Sequence, residues 1–202
     1  VTAGGKTRHI RARKGVVLAA GGFIQNDEML ASFAADLNRC RPRWGHAGHQ
    51  GQGILMGLAA GARIRNMDHG FAVLPLYPPE QVLKGVVVTA QGQRCVAEDT
   101  YYGVIGHEML VRQGGRGYLV VDADCDYPGP DYRVVEAARA DDLAELARRL
   151  NMPAGMLEQT VAFYNRHAAE GRDPLFGKAA QNLAPLRKAP FVAYDLSPEK
   201  AF

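Results

Sequence analysis

The chain has 202 residues and a mass of 21.9 kDa, enough for one sizeable hydrophobic core or two small domains. Apolar residues make up 47% and charged residues 22%, which argues against a wholly disordered or fibrous chain. Its 24 basic and 21 acidic residues leave a net charge of +3, so the balance asks for no nucleic-acid partner. Cys40, Cys95 and Cys125 are too few for a disulfide framework and lack the close pairing of a zinc knuckle, so a reducing, cytoplasmic setting is expected. No apolar stretch reaches the ~18 residues of a membrane span. The first residues, Val1 to Lys14, hold no hydrophobic signal core, and the basic set Lys6, Arg8, Arg11, Arg13 and Lys14 reads as a solvated hairpin strand. Without a starting Met, the chain is expected to be an internal piece of something larger.

In chain order, Ala3-Gly4-Gly5-Lys6 is turn chemistry, followed by an extended, basic Thr7 to Ala12. Gly15 to Ala20 is an unbroken apolar run closed by Gly21-Gly22. Such a run predicts a central parallel strand covered on both sides, and the double glycine allows close backbone approach by a ligand or a neighbouring element. Asn26-Asp27-Glu28 opens a helix to about Asp36. A polar loop, Asn38 to Gln50, carries Trp44, His46 and His49. From Gly51 to Ala62 a helix places Gly53, Gly57 and Gly61 on one stripe and Ile54, Leu58 and Ala62 on another, so it can sit close to a strand or a cofactor. The composition turns to Pro, Gly and aromatic residues between Asp68 and Pro79, which marks a domain boundary.

Beyond it, Gly85–Thr89 and Arg94–Ala97 flank Gln91-Gly92 as a hairpin. A helix over Tyr101–Leu110, a strand over Gly117–Asp122 and a Pro/Gly loop over Cys125–Asp131 follow. Two helices come next, one with the apolar face Leu143, Leu146, Ala147 and Leu150. The other starts at Pro153, lines up Leu157, Val161, Tyr164 and Ala168, and stops at Gly171. Phe191–Tyr194 reads as a final strand.

Several chemistries are absent. There is no Gly-x-Gly-x-x-Gly after an early strand, no Walker-type loop, no His-Glu-x-x-His and no Gly-x-Ser-x-Gly; the only serines are Ser32 and Ser197. His46 and His49 suit local hydrogen bonding, and Cys95 suits core filling. Gly48–Gly53, glycine-rich and just ahead of a helix, serves either as a turn or as a backbone cradle for a phosphate-like group. Glu98-Asp99-Thr100-Tyr101-Tyr102-Gly103 is the densest polar cluster after a hydrophobic strand; its carboxylates can bind a ligand or cap the next helix. Two adjacent tyrosines cannot both face the core of one helix, so one phenol is expected at a cleft, where it can move a proton.

Four blocks, in order, carry a resemblance: Arg13 to Phe23, Gly51 to Ala62, Gly92 to Asp99, and Leu150 to Glu158 continuing through Tyr164-Asn165 to Gly171–Lys178. Together they resemble the FAD-dependent succinate dehydrogenase/fumarate reductase flavoprotein superfamily, and within it most closely the 3-ketosteroid dehydrogenases. The resemblance implies an α/β plus α+β fold, part of a Rossmann-like FAD-binding domain followed by a capping, catalytic domain. It implies residues 1–70 in the former, 71–190 in the latter, and 191–202 returning towards the FAD domain. The family's dinucleotide fingerprint would lie upstream of Val1 and its closing flavin segment beyond Phe202, so the isolated chain is expected to hold FAD weakly and to be inactive alone.

By the same resemblance Ala20, Gly21, Gly22, Phe23, Gly51, Gly53 and Glu98 contact FAD, and Tyr102, or in the adjacent register Tyr101, is catalytic. Fumarate reductases carry an arginine proton donor three residues after the glutamate matching Glu98; here Tyr101 stands there, which disfavours a dicarboxylate reductase. The implied activity is dehydrogenation of a small-molecule ketone or steroid, with the electron acceptor open. The alternatives are a non-catalytic fragment that binds no FAD and a related flavoprotein acting on a small carboxylate. Ala97 and Cys95 depart from the usual Asn and large residue of the family.

Overall fold

In a computed structural model of the protein, residues 2–74, 80–126 and 135–201 are described. The expected boundary at 68–79 and the loop at 125–131 fall partly outside them. The architecture is mixed helix and sheet. Strands β1 (Thr2–Ala3) and β2 (Lys6–Thr7) form a short antiparallel hairpin. Gly4 and Gly5 make its turn at φ 57° and 73°, the left-handed pair that a two-residue hairpin loop requires.

Helix α1 (Asp27–Phe33) starts where expected, because the Asn26 side chain accepts the Met29 N–H at 3.0 Å. Helix α2 (Gln52–Ala59) ends against Gly61, whose φ of 86° lets the Ala62 N–H return to the Gly57 carbonyl. Between them and the hairpin, the expected parallel strand is not formed. Gly15 to Ala20 is extended but pairs with no described strand, and Val16 and Val17 are 74% and 90% exposed. An all-apolar run needs cover on both faces. Here α2 approaches it, with a Cβ at Gly53 falling 3.0 Å from the Ala20 Cβ. Val16, Val17 and Leu18 on the run, and Leu55 and Met56 on α2, are left as exposed apolar side chains.

The core lies in the rest of the chain. A four-stranded antiparallel sheet has the order β3 (Val86–Thr89), β4 (Gly117–Val121), β6 (Phe191–Asp195), β5 (Val135–Ala140). All four residues of β3 are buried, as are Leu119 to Val121 in β4, so both faces of the sheet are covered there. The expected hairpin after β3 shrinks to one bridge, Val88 with Arg94, on the edge away from β4, where the Glu98 carboxylate takes the Val87 N–H at 2.8 Å. Strand β5, which the sequence did not announce, pairs with β6 around a bulge between Glu136 and Ala138.

Helix α3 (Tyr102–His107) continues through a wider turn over Glu108–Arg112. Helices α4 (Leu143–Arg149) and α5 (Met156–Ala168) pack on each other, with Leu157, Val161, Tyr164 and Ala168 buried as the periodicity requires. Gly155 rather than Pro153 precedes the first turn of α5. The chain ends in α6 (Pro198–Ala201). The three cysteines are free, and burial pushes the thiols of Cys95 and Cys125 up to about 12. Among the described residues no helix is long and apolar enough to cross a membrane.

Candidate functional site

The segment Ala20–Phe23 runs beside the start of α2 and is strapped to the loop before it. The Gly51 N–H donates to the Gly22 carbonyl at 3.0 Å, the Gln25 N–H to the His49 carbonyl at 3.0 Å, and the Asn26 side-chain amide to the Gln50 carbonyl at 2.9 Å. Close approach requires glycine at two places. Gly21 sits at φ 78° with the His49 ring 2.6 Å from where a Cβ would stand, and Gly51 sits at φ 83° against the Met29 thioether. Gly22 faces open space, with nothing within 4 Å of a Cβ there. The first N–H groups of α2, from Gln52, Gly53 and Ile54, are those an α-helix leaves without an internal partner. Open Gly22 and these N–H groups form a strip of backbone of the kind that receives an anionic group such as the phosphates of a flavin nucleotide, while His49, Met29 and Ala20 fill the space beside Gly21, Gly51 and Gly53.

Against the same strip opens a cleft of about 430 Å³ whose walls include Gly22, Phe23, Trp44, Phe71, Val73 and Tyr102. Trp44 and Phe71 are 68% and 65% exposed, large aromatic area held at a cleft mouth. Phe71 stacks on Tyr101 with ring centroids 5.8 Å apart and meets Tyr102 edge-on at 6.4 Å. The two tyrosine rings lie 4.4 Å apart. Tyr102 is the first residue of α3, its carbonyl accepting the Leu74 N–H at 3.2 Å, and it lines the cleft; Tyr101 sits outside the lining and is half exposed. A second cavity of about 650 Å³ shares the wall of Leu37, His69, Gly70 and Phe71.

The structure thus brings Gly22, Phe23 and Tyr102 together, with Ala20, Gly21, Gly51 and Gly53 forming the backing. Glu98 is elsewhere. Its carboxylate is fully buried and accepts the Val87 N–H at 2.8 Å, two bonds from the Arg94 guanidinium at 2.9 and 2.6 Å, and the Lys178 ammonium at 3.1 Å. Expected at the cofactor, Glu98 instead closes an ion cluster in the core, because Arg94 and Lys178 meet it there. Asp173 completes the cluster, 2.8 Å from Arg94. Burial opposes the charge on Arg94, but the Glu98 and Asp173 carboxylates hold the guanidinium above its usual pKa. Burial pushes Lys178 below its usual value despite Glu98. Asp173 is driven up by burial, yet the Lys178 N–H and Arg94 bring it below the ordinary Asp value.

Asp99 caps no helix. Its Oδ2 accepts the Ala179 N–H at 2.8 Å and the Asn182 amide at 2.9 Å. His46 has the local role expected of it, accepting the Gly48 N–H at 3.0 Å. Trp44 and Phe71 were not singled out as site residues. The available signals were a lone Trp in a polar loop and an aromatic in the stretch of changed composition.

A family described as "FAD binding domain" matches residues 1–202. The chain belongs to this FAD binding domain family. Family membership makes FAD the cofactor of this flavoprotein domain. Among solved structures, the fold superposes on the 3-ketosteroid-Δ4-(5α)-dehydrogenase of Rhodococcus jostii RHA1, in complex with 4-androstene-3,17-dione. The TM-score is 0.79 at 37% identity, over 93% of this chain and 40% of that one. The chain is 29% identical to the 4-oxocyclohex-2-ene-1-carboxylate 5-dehydrogenase of Sinomonas cyclohexanicum, over 96% of this chain and 41% of that protein. It is 30% identical to the NADH:acrylate oxidoreductase of Vibrio harveyi, over 98% of this chain and 22% of that protein. The chain therefore spans less than half the length of each of these relatives.

Proposed function

We propose that this flavoprotein domain serves the dehydrogenation of a cyclic ketone, with a 3-ketosteroid as the substrate class. The observation that carries the reading is the cleft in which Tyr102 faces Gly22 and Phe23 under an aromatic mouth of Trp44 and Phe71. Its volume falls in the range that encloses most of a small-molecule ligand. Two of the three relatives above are named for dehydrogenating an oxo-bearing ring. Tyr101 stands where a dicarboxylate reductase would have a cationic proton donor, and a phenol next to an apolar cleft suits a ketone better than a carboxylate.

Ala20 to Phe23, Gly51 and Gly53 would hold the FAD. When bound, it supplies the hydride acceptor. The chain's own residues do the rest. Trp44, Phe71 and Phe23 cover apolar ring surface and keep water from it, and Tyr102 donates a hydrogen bond to, or moves a proton at, the substrate oxygen or the neighbouring carbon. Residues 1–70 form part of the FAD domain and 71–190 the capping domain, with β6 (Phe191–Asp195) completing the capping sheet before the rest of 191–202 returns. The exposed apolar side chains of Val16, Val17, Leu55 and Met56 support this division, since a larger FAD domain would cover them.

The test is steady-state turnover by the full-length, FAD-loaded protein to which this domain belongs. A 3-ketosteroid with an artificial electron acceptor is expected to turn over, with fumarate reduction negligible; faster fumarate turnover at saturation overturns the reading.

A further inference from the structure

Tyr102 begins α3, and the residue before it offers no side-chain hydrogen bond to the helix's open N–H groups. The direction in which the chain enters α3 therefore depends on what holds the residues just upstream as well as on the contacts of the tyrosine pair itself. Only Thr100 separates Asp99 from Tyr101, and its N–H is taken by the Ala97 carbonyl at 3.2 Å. Asp99 is tied by one carboxylate oxygen to the Ala179 N–H and the Asn182 amide. These partners lie some eighty residues further along the chain, on the loop that also delivers Asp173 and Lys178 to the ion cluster. On the other side of the tyrosine pair, the Leu74 N–H holds the Tyr102 carbonyl. Neither Asp99 nor Asn182 lines the cleft.

The geometry points to Asp99 and Asn182 as positioning residues for Tyr102: their hydrogen bonds anchor the chain entering α3 and so fix where the Tyr102 ring stands in the cleft. The inference rests on the reading of Tyr102 as the proton-handling group. Glu98 anchors the same segment one residue earlier but is locked into the buried ions. The Asp99–Asn182 bond is half-buried and can be cut without leaving a buried charge. An error of ~1 Å in a reacting group can cost ~10²-fold, so a loosened tether costs about ten-fold.

The test uses Asp99→Ala, Asp99→Asn and Asn182→Ala in the full-length, FAD-loaded protein carrying ring-¹³C tyrosine, with Tyr101→Phe and Tyr102→Phe assigning the signals. In both alanine variants the Tyr101 and Tyr102 ring resonances should move while those of Tyr118 and Tyr194 stay. Turnover number should fall about ten-fold, with KM, flavin content and thermal midpoint near wild type. Asp99→Asn keeps an acceptor oxygen for Ala179 and should restore most of the rate. Asp99→Ala combined with Tyr102→Phe should be no slower than Tyr102→Phe alone, since the first acts through the second. Unmoved ring resonances, or additive losses in the double variant, overturn the inference. If Asp99→Ala does not fold, Asn182→Ala, which removes a single bond, decides it alone by the same signals. If the resonances move but Tyr102→Phe turns over normally, the tether stands and the proton-handling reading of Tyr102 falls.

Discussion

Lys178→Met removes a charge from the centre of the fold while keeping most of the side chain's length. In the structure the ammonium is fully buried and donates to the Gly85 carbonyl at 2.7 Å and the Tyr164 hydroxyl at 3.3 Å, with Glu98 3.1 Å away. The variant leaves Glu98 with Arg94 but one cation short, and strands the Gly85 carbonyl without its donor. Breaking a buried ion pair from one side costs ~3–5 kcal/mol, far above the ~0–1 kcal/mol of a surface pair. At a slope of ~2 kcal/mol per molar urea this lowers the unfolding midpoint by ~1.5–2.5 M. The assay is urea unfolding followed by far-UV circular dichroism. Adding Glu98→Gln to Lys178→Met removes the uncompensated charge and should recover part of the loss. A midpoint shift under ~0.3 M for Lys178→Met would refute the reasoning, because the cluster would then contribute no more than an exposed pair.

Other outcomes follow from the same structure. Tyr102→Phe in the full-length, FAD-loaded protein should lower kcat ~10²-fold with flavin content unchanged, measured with a 3-ketosteroid and an artificial acceptor, while Tyr101→Phe should lose less. Gly51→Ala puts a Cβ on a backbone at φ 83° and into Met29, so thermal unfolding should show a loss of ~2–4 kcal/mol together with weaker FAD binding in a fluorescence titration. Asp173 is held below the ordinary aspartate pKa, so the folded state resists its protonation more than the unfolded chain does. That contribution is present above about pH 4 and drains away as pH falls through the depressed value. Urea midpoints measured from neutral pH down through this window should drop more steeply for the wild type than for Asp173→Asn.

Local signals made much of the fold legible. The Asn26 cap placed the start of α1, the apolar spacing of Leu157, Val161 and Tyr164 defined α5, and the compact apolar strings at 117–121 and 191–195 became β4 and β6. What failed depended on partners far along the chain. Gly15–Ala20 reads as a buried strand because its residues are apolar, but apolarity does not say what covers a strand, and here the run is exposed. Strand β5 escaped notice because its outer residues are exposed and its alternation is broken by a bulge. At the site, the glycines announced a close backbone approach, and the paired tyrosines announced a cleft. Glu98 was misplaced for a physical reason: nothing in Gly92–Asp99 alone shows that Lys178 and Asp173 arrive to build a buried charge cluster around it.

If this FAD domain presents Tyr102 and an aromatic mouth to a cyclic ketone, the full-length, oxidised, FAD-loaded protein should react with a 3-ketosteroid in the absence of oxygen and any other electron acceptor. The flavin's visible absorbance should bleach as the ring is desaturated, and Tyr102→Phe should slow this single turnover ~10²-fold. No bleaching with any cyclic ketone, together with rapid reoxidation of the chemically reduced protein by fumarate or acrylate, would contradict this reading.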